Sequence, residues 1–247
     1  MNAPIPNPHI PATRQPIFNL PAVVSGLIAL LLAIHAGRVF LLSRDAGLQV
    51  ILDFAFIPIR ETHPEVYSDL AAVGQGARVW TFLTYAFLHA DWGHVLINSV
   101  WLAAFGSPVA RRFGVVRFLA YAAVGAIAGV AVHLAIYPSS VAPVVGASAA
   151  ISALMAGAAR FIFQPQGPMW SLGGFDAYRQ PAAPLRVLVR DGRVMMFLGV
   201  WFVVNIIFGL TGGAGLASGA VAWAAHVGGF LAGLLLFRLF DPVPRAP

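Results

Sequence analysis

The chain has 247 residues, 59% of them hydrophobic and only 10% charged, with a mean hydropathy of +0.81; such a balance excludes an ordinary water-soluble domain. The formal charge of +6 is carried entirely by arginine, but the arginines flank apolar stretches and form no basic stripe with interleaved aromatics, so the charge does not point to nucleic acid as a partner. With no cysteine, a disulfide framework and a thiolate metal site are excluded, and stability has to come from helix packing in lipid.

Residues 1–21 are rich in Pro and Asn, lack an apolar core and read as a disordered cytoplasmic tail. The run that follows Arg14 is too long for a removable signal peptide and lacks its cleavage site. Six apolar segments then succeed one another, Ala22–Leu42, Gly93–Phe113, Val115–Tyr137, Ser148–Phe163, Val194–Leu210 and Gly219–Phe240. Each is near the roughly twenty residues that a helix needs to cross a bilayer. The expected organisation is an all-α polytopic bundle of six transmembrane helices over residues 22–240, with a short cytoplasmic tail at 241–247. The connection from Ser43 to Trp92 is too long and too apolar for a linker, and is expected to fold back onto the membrane surface.

An even number of spans puts both termini on one side. If that side is cytoplasmic, the inner face carries eleven arginines, Arg14, Arg111, Arg112, Arg117, Arg160, Arg179, Arg186, Arg190, Arg193, Arg238 and Arg245, against four outside, Arg38, Arg44, Arg60 and Arg78. That asymmetry is the one the positive-inside rule requires.

Segment four opens on Pro143-Val144-Val145-Gly146-Ala147-Ser148 and is built from small residues. Ala149, Ala153 and Gly157 recur at every fourth position, as do Gly229 and Gly233 in segment six. Small side chains at that spacing let helix backbones approach, so segments four and six are expected neighbours; each face on its own could equally just fill a membrane core.

Polar groups inside spans are costly and therefore candidates for function. Four stand out: Ser148 at the head of segment four, His226 about two turns into segment six, and His94 and Asn98 near the start of segment two. Segments two, four and six all run from outside to inside, which puts the four residues at one depth. A Ser and a His brought together supply a nucleophile and a general base, the minimum for acyl transfer. His94 and Asn98, four apart, lie on one helix face. Their N–H groups, with the Ser148 backbone N–H left free at a helix start, can hold the negative charge that develops on a carbonyl oxygen. Singly, each residue has a plainer role: a membrane Ser bonds a backbone carbonyl, and a His or Asn joins helices. It is the set that points to chemistry.

The remaining polar residues fit structural roles. His35 and His133 lack a partner pattern, Arg38 can snorkel, and Asn205 reads as a bond between helices. His89, Asp91 and His94 do not make a metal site, since no His-Glu-x-x-His helix is present and the carboxylate is on a loop. No cofactor signature is found. The spans contain no Asp or Glu, which argues against a transporter.

The motifs His94-Val95-Leu96-Ile97-Asn98, Gly146-Ala147-Ser148-Ala149 and Ala225-His226-Val227-Gly228-Gly229-Phe230-Leu231-Ala232-Gly233 together resemble those of the rhomboid intramembrane serine proteases, over nearly all of the chain from first span to last. The resemblance implies a Ser148–His226 dyad, an oxyanion site at His94 and Asn98, a bacterial-type six-helix core in an inner membrane, and a partly submerged first loop that includes Trp80 and His89. It implies cleavage of membrane-protein substrates in or beside their transmembrane helices, the lipid bilayer being the other partner. Substrate entry is expected to need movement of segment five or of the glycine-rich stretch 209–219. Three positions depart from the family's habit. Thr81 follows Trp80 where relatives often carry Arg, Ala149 follows Ser148 in place of Gly, and Ser152 stands one turn on where relatives often carry an aromatic that packs on the histidine. The rival reading is a catalytically silent rhomboid-like protein that binds membrane clients, which would be expected to lose the Ser or the His.

Overall fold

A computed structural model describes residues 20–65, 76–165, 167–168, 175–211 and 222–244, without the side chains of 175, 176 and 208–211. Nearly all of the expected N-terminal tail, the stretch 209–219 beyond Thr211, and residues 245–247 lie outside the described residues. The elements are α1 (Ala22–Phe40), α2 (Arg44–Phe54), α3 (Pro58–Thr62), α4 (Ala77–Thr84), α5 (Trp92–Trp101), α6 (Ser107–Phe113), α7 (Val115–Ile136), α8 (Ser148–Ala159), α9 (Leu185–Leu188), α10 (Gly192–Thr211) and α11 (Trp223–Phe240). Among the described residues the fold is all-α, with one isolated backbone bridge between Phe56 and Val144. The chain is a polytopic membrane protein built as a helical bundle.

Among the described residues three helices are both long enough and apolar enough to cross a membrane, α1, α7 and α11. The other apolar segments take different forms. Segment two is helical from Trp92 to Phe113, but Leu102–Gly106 forms a π turn between α5 and α6. Gly114, with φ +73°, ends α6 and starts α7 in one residue, a conformation that side-chain-bearing residues rarely adopt. The helix of segment four stops at Ala159, so α8 has only 12 residues. At 1.5 Å per residue it spans about 18 Å against about 30 Å of hydrocarbon. A helix that short cannot reach both faces, and the chain before it, residues 137–147, is non-helical.

Such chain is tolerated at membrane depth only when protein surrounds it, and the first loop supplies the surroundings. The Phe56 and Val144 amides each donate to the other's carbonyl, at 3.2 and 2.7 Å, Ile59 N–H donates to Ser140 at 3.0 Å, and Gly146 N–H donates to the Tyr85 carbonyl at 3.0 Å. Thr62 Oγ1 donates to the Pro138 carbonyl at 2.7 Å. The loop is fastened to itself by Arg60 on the Leu52 carbonyl (2.5 Å), Trp80 Nε1 on the Asp53 carbonyl (2.8 Å) and Thr84 on the Phe54 carbonyl (2.8 Å). Thr81 is buried and bonds the Ala77 carbonyl of its own helix, so it does not anchor the loop as a longer cation would. Arg78 takes part of that work, paired with Glu61 at 3.6 Å and bonding the Glu61 carbonyl at 3.2 Å.

From Ala149 to Ala159 α8 is buried except for Ala150, enclosed by α7 and α11. In lipid no hydrophobic effect drives helices together, so close van der Waals packing and interhelical hydrogen bonds must. A methyl group added at Gly229 would collide with the Ala149 carbonyl, and one at Gly233 would lie 2.5 Å from the Ala153 backbone. Gly129 of α7 leaves room for the Ala149 methyl, which would stand 2.5 Å from an added Cβ. Gly157 meets α7 rather than α11, an added Cβ there standing 2.6 Å from the Tyr121 hydroxyl. Tyr121 Oη donates at 3.0 Å to the Ala153 carbonyl and lies 2.7 Å from that of Gly233, tying the three helices at one point. Where α6 and α11 end, Arg112 holds Asp241 through two contacts of 2.8 and 2.9 Å and also donates to the Tyr178 and Gln180 carbonyls, so Asp241, read from the sequence as the start of a tail, is packed.

The packing generates a paired expectation. Gly229→Val should force α8 and α11 apart and cost about 1–3 kcal/mol or more, lowering the thermal unfolding midpoint in detergent, whereas Gly26→Ala, with nothing within 4 Å of the added methyl, should leave it unchanged or slightly raised. Equal midpoints for the two variants would contradict the close α8–α11 approach.

Candidate active site

Ser148 is the first residue of α8, and no side chain caps that start. His226 lies in the first turn of α11, one helical turn before Gly229, the point of closest approach to α8. The register therefore delivers the two side chains to each other: His226 Nε2 stands 2.7 Å from Ser148 Oγ. A hydroxyl hydrogen-bonded to an imidazole nitrogen has the geometry needed for proton transfer as the oxygen attacks an electrophile.

His94 and Asn98 come from the start of α5. Asp91 caps that helix, its Oδ1 accepting from His94 N–H at 2.8 Å. The Arg38 side chain of α1 fastens the turn above it by donating to the His89 carbonyl at 2.6 Å. Gly146 then stands between α5 and Ser148. Its φ of +118° is one that L side chains rarely adopt, and an added Cβ would lie 2.6 Å from His94 Nε2 and 3.5 Å from Asn98 Nδ2. Glycine is thus required here for its backbone conformation as well as for the approach of both polar side chains.

The Asn98 side chain is buried, and its Nδ2 has no hydrogen-bond partner among the described residues. A buried amide donor left unmatched costs free energy unless some ligand or solvent atom takes the bond. It lies near Gly146, two residues before Ser148, and the first amides of α8 have no side-chain cap. The His89 ring packs edge-on to His94 at 5.0 Å. Burial first, and then the neighbouring His94, His35 and Arg38, push the His89 imidazole down to about 3, so it brings no positive charge to the site at neutral pH.

Ser152, one turn after Ser148, donates to the Ser148 carbonyl at 2.7 Å. The other face of His226 is met from a different helix: Nδ1 is hydrogen-bonded to Oδ1 of Asn205 on α10, and Asn205 Nδ2 donates to the Trp201 carbonyl at 2.8 Å. Read from the sequence, Asn205 is a bond between helices and no part of the site. It belongs to no motif, and the one signal for it was an amide in the middle of an apolar span. His133 lies on α7 beside Tyr137, and His35 on α1 packs edge-on to Trp92 at 4.7 Å. Among the described residues no group of three or more His, Asp or Glu side chains is placed to hold a metal ion.

Two comparisons bear on identity. The sequence is similar to RHOMBOID-like protein 12, mitochondrial, of Arabidopsis thaliana, with 27% identity over 171 residues that cover 63% of this chain and 44% of that protein. The chain thus matches less than half the length of that relative. The family model for the rhomboid domain matches residues 76–241, from the start of α4 past the end of α11. That stretch is more than half of the chain and contains Ser148, His226, His94, Asn98 and Asn205, and on it the chain belongs to the rhomboid family.

Proposed function

We propose that this protein is an intramembrane serine endopeptidase that cuts helical membrane-protein substrates near the outer boundary of their transmembrane segments, with Ser148 as nucleophile and His226 as general base. The observation that carries the reading is the 2.7 Å contact between Ser148 Oγ and His226 Nε2, at the head of a 12-residue helix too short to cross a bilayer. The family membership and the unmatched Asn98 donor support it.

In this reading His226 Nε2 takes the Ser148 proton as Oγ bonds to the scissile carbonyl carbon. The carbonyl oxygen becomes an oxyanion that accepts from Asn98 Nδ2, the His94 ring and the Ser148 amide. When the tetrahedral intermediate collapses the C–N bond breaks, and the His226 proton passes to the leaving amine. Water then attacks the Ser148 ester and gives a proton to His226. The ester C–O bond breaks, and that proton returns to Oγ, freeing the new carboxyl end and restoring the enzyme. Gly146 leaves the space in which His94 and Asn98 reach the oxyanion. The arginine distribution supports an orientation with both termini in the cytoplasm and the site opening outward. The chain retains both groups that a silent client-binding protein would be expected to lack.

The purified protein in lipid, given a single-span substrate, should cut it, while Ser148→Ala and His226→Ala should fold and fall to the uncatalysed background. Cleavage by Ser148→Ala at the wild-type rate would remove the mechanism. Asn98→Ala should lower kcat by about 10²- to 10³-fold, or roughly 3 kcal/mol, with a smaller effect on KM; an unchanged kcat in steady-state measurements would take Asn98 out of the oxyanion site.

A further inference from the structure

We propose that Asn205 is a positioning residue for His226, which fixes the tautomer of the ring and holds Nε2 toward Ser148. This inference rests on the serine-protease reading for its catalytic meaning, though its structural content can be measured separately.

The direction of every hydrogen bond in the chain follows from its far end. The Trp201 carbonyl can only accept, so the amide end of Asn205 that lies 2.8 Å from it must be the NH₂ group. The other end, Oδ1, therefore faces His226 Nδ1. An amide oxygen can only accept, so Nδ1 must carry the proton. A neutral imidazole has one N–H, which leaves Nε2 with a lone pair, and the group 2.7 Å from that lone pair is the Ser148 hydroxyl. Trp201 to Asn205 to His226 to Ser148 is thus a single polarised chain, with the serine proton at the end that donates to the base. In the opposite tautomer Nε2 would carry a proton and could not accept the one from Ser148.

Two features make this more than a bond between helices. Asn205 is buried, so water competes little for His226 Nδ1. Ser152, one turn after Ser148, donates its hydroxyl to the Ser148 carbonyl, so a restraint on the ring has to come from elsewhere. Asn205 provides that restraint from α10, whose seat on α11 is set by Trp201 stacked at 5.1 Å on Phe230 and by Phe202 edge-on to the same ring at 5.7 Å. The acceptor and the base therefore stand on different helices, and the ring is aligned as long as α10 rests on α11.

The test uses ¹⁵N-histidine-labelled full-length protein in lipid at a pH where His226 is neutral, with His226→Gln to assign its signals. Wild type should show a protonated Nδ1 and a bare Nε2, and Asn205→Ala should show a mixture or the reverse. On a single-span substrate Asn205→Ala should lower kcat by roughly tenfold or more while KM stays within about twofold; Asn205→Asp, which keeps an acceptor oxygen, should recover part of kcat. A wild-type tautomer in Asn205→Ala, or an unchanged kcat beside an active wild type, would overturn the proposal. If wild type does not cut at all, the protease reading fails, and the ¹⁵N spectra still decide whether Asn205 sets the tautomer.

Discussion

The close approach of α8 and α11 is the constraint on which the site depends. At Gly229 the absence of a side chain lets the Ala149 carbonyl come against the α11 backbone, and at Gly233 the same happens with Ala153. Ser148 is the residue before Ala149, and His226 lies one turn before Gly229 on the same helix face. Once those two backbones touch, the hydroxyl and the imidazole have almost no freedom to be apart. Lipid gives helices no hydrophobic reason to associate, which explains the Tyr121 hydroxyl in contact with a carbonyl from each helix and the glycines of α7 that fit around Ala149 and Ala153.

The shortness of α8 is the second element. A helix of 12 residues cannot reach both surfaces, and the chain leading to it, residues 137–147, is irregular, which a membrane tolerates only where the amides find partners. The first loop meets that need by accepting from and donating to the segment between Pro138 and Gly146. The Tyr85 carbonyl, just beyond α4, accepts from the Gly146 N–H and so ties down the residue whose missing side chain leaves space beside His94 and Asn98.

The all-α membrane architecture was legible because apolar runs of spanning length carry the strongest of all sequence signals. The candidate site was legible at the four residues that stand in motifs, because a Ser, an Asn and two His in lipid have no cheap structural excuse when taken together. What could not be read is of a different kind. The π turn at Leu102–Gly106 and the stop of α8 at Ala159 are decided by neighbours rather than by local propensity, and nothing in Ser148–Phe163 alone marks where the helix ends. Arg112 and Asp241 are far apart in sequence, so their ion pair and the packing of the C-terminal end had no local sign. Asn205 has no motif around it; its meaning comes only from which ring it meets, and that depends on how α10 lies against α11.

The central claim is that the Ser148 hydroxyl is made nucleophilic by His226. Its most direct test is treatment of the full-length protein in lipid with a fluorophosphonate, followed by mass mapping of the adduct. The expected result is a single modification on the peptide holding Ser148, absent from His226→Ala. Modification of another residue, or undiminished labelling of Ser148 without His226, would contradict the account.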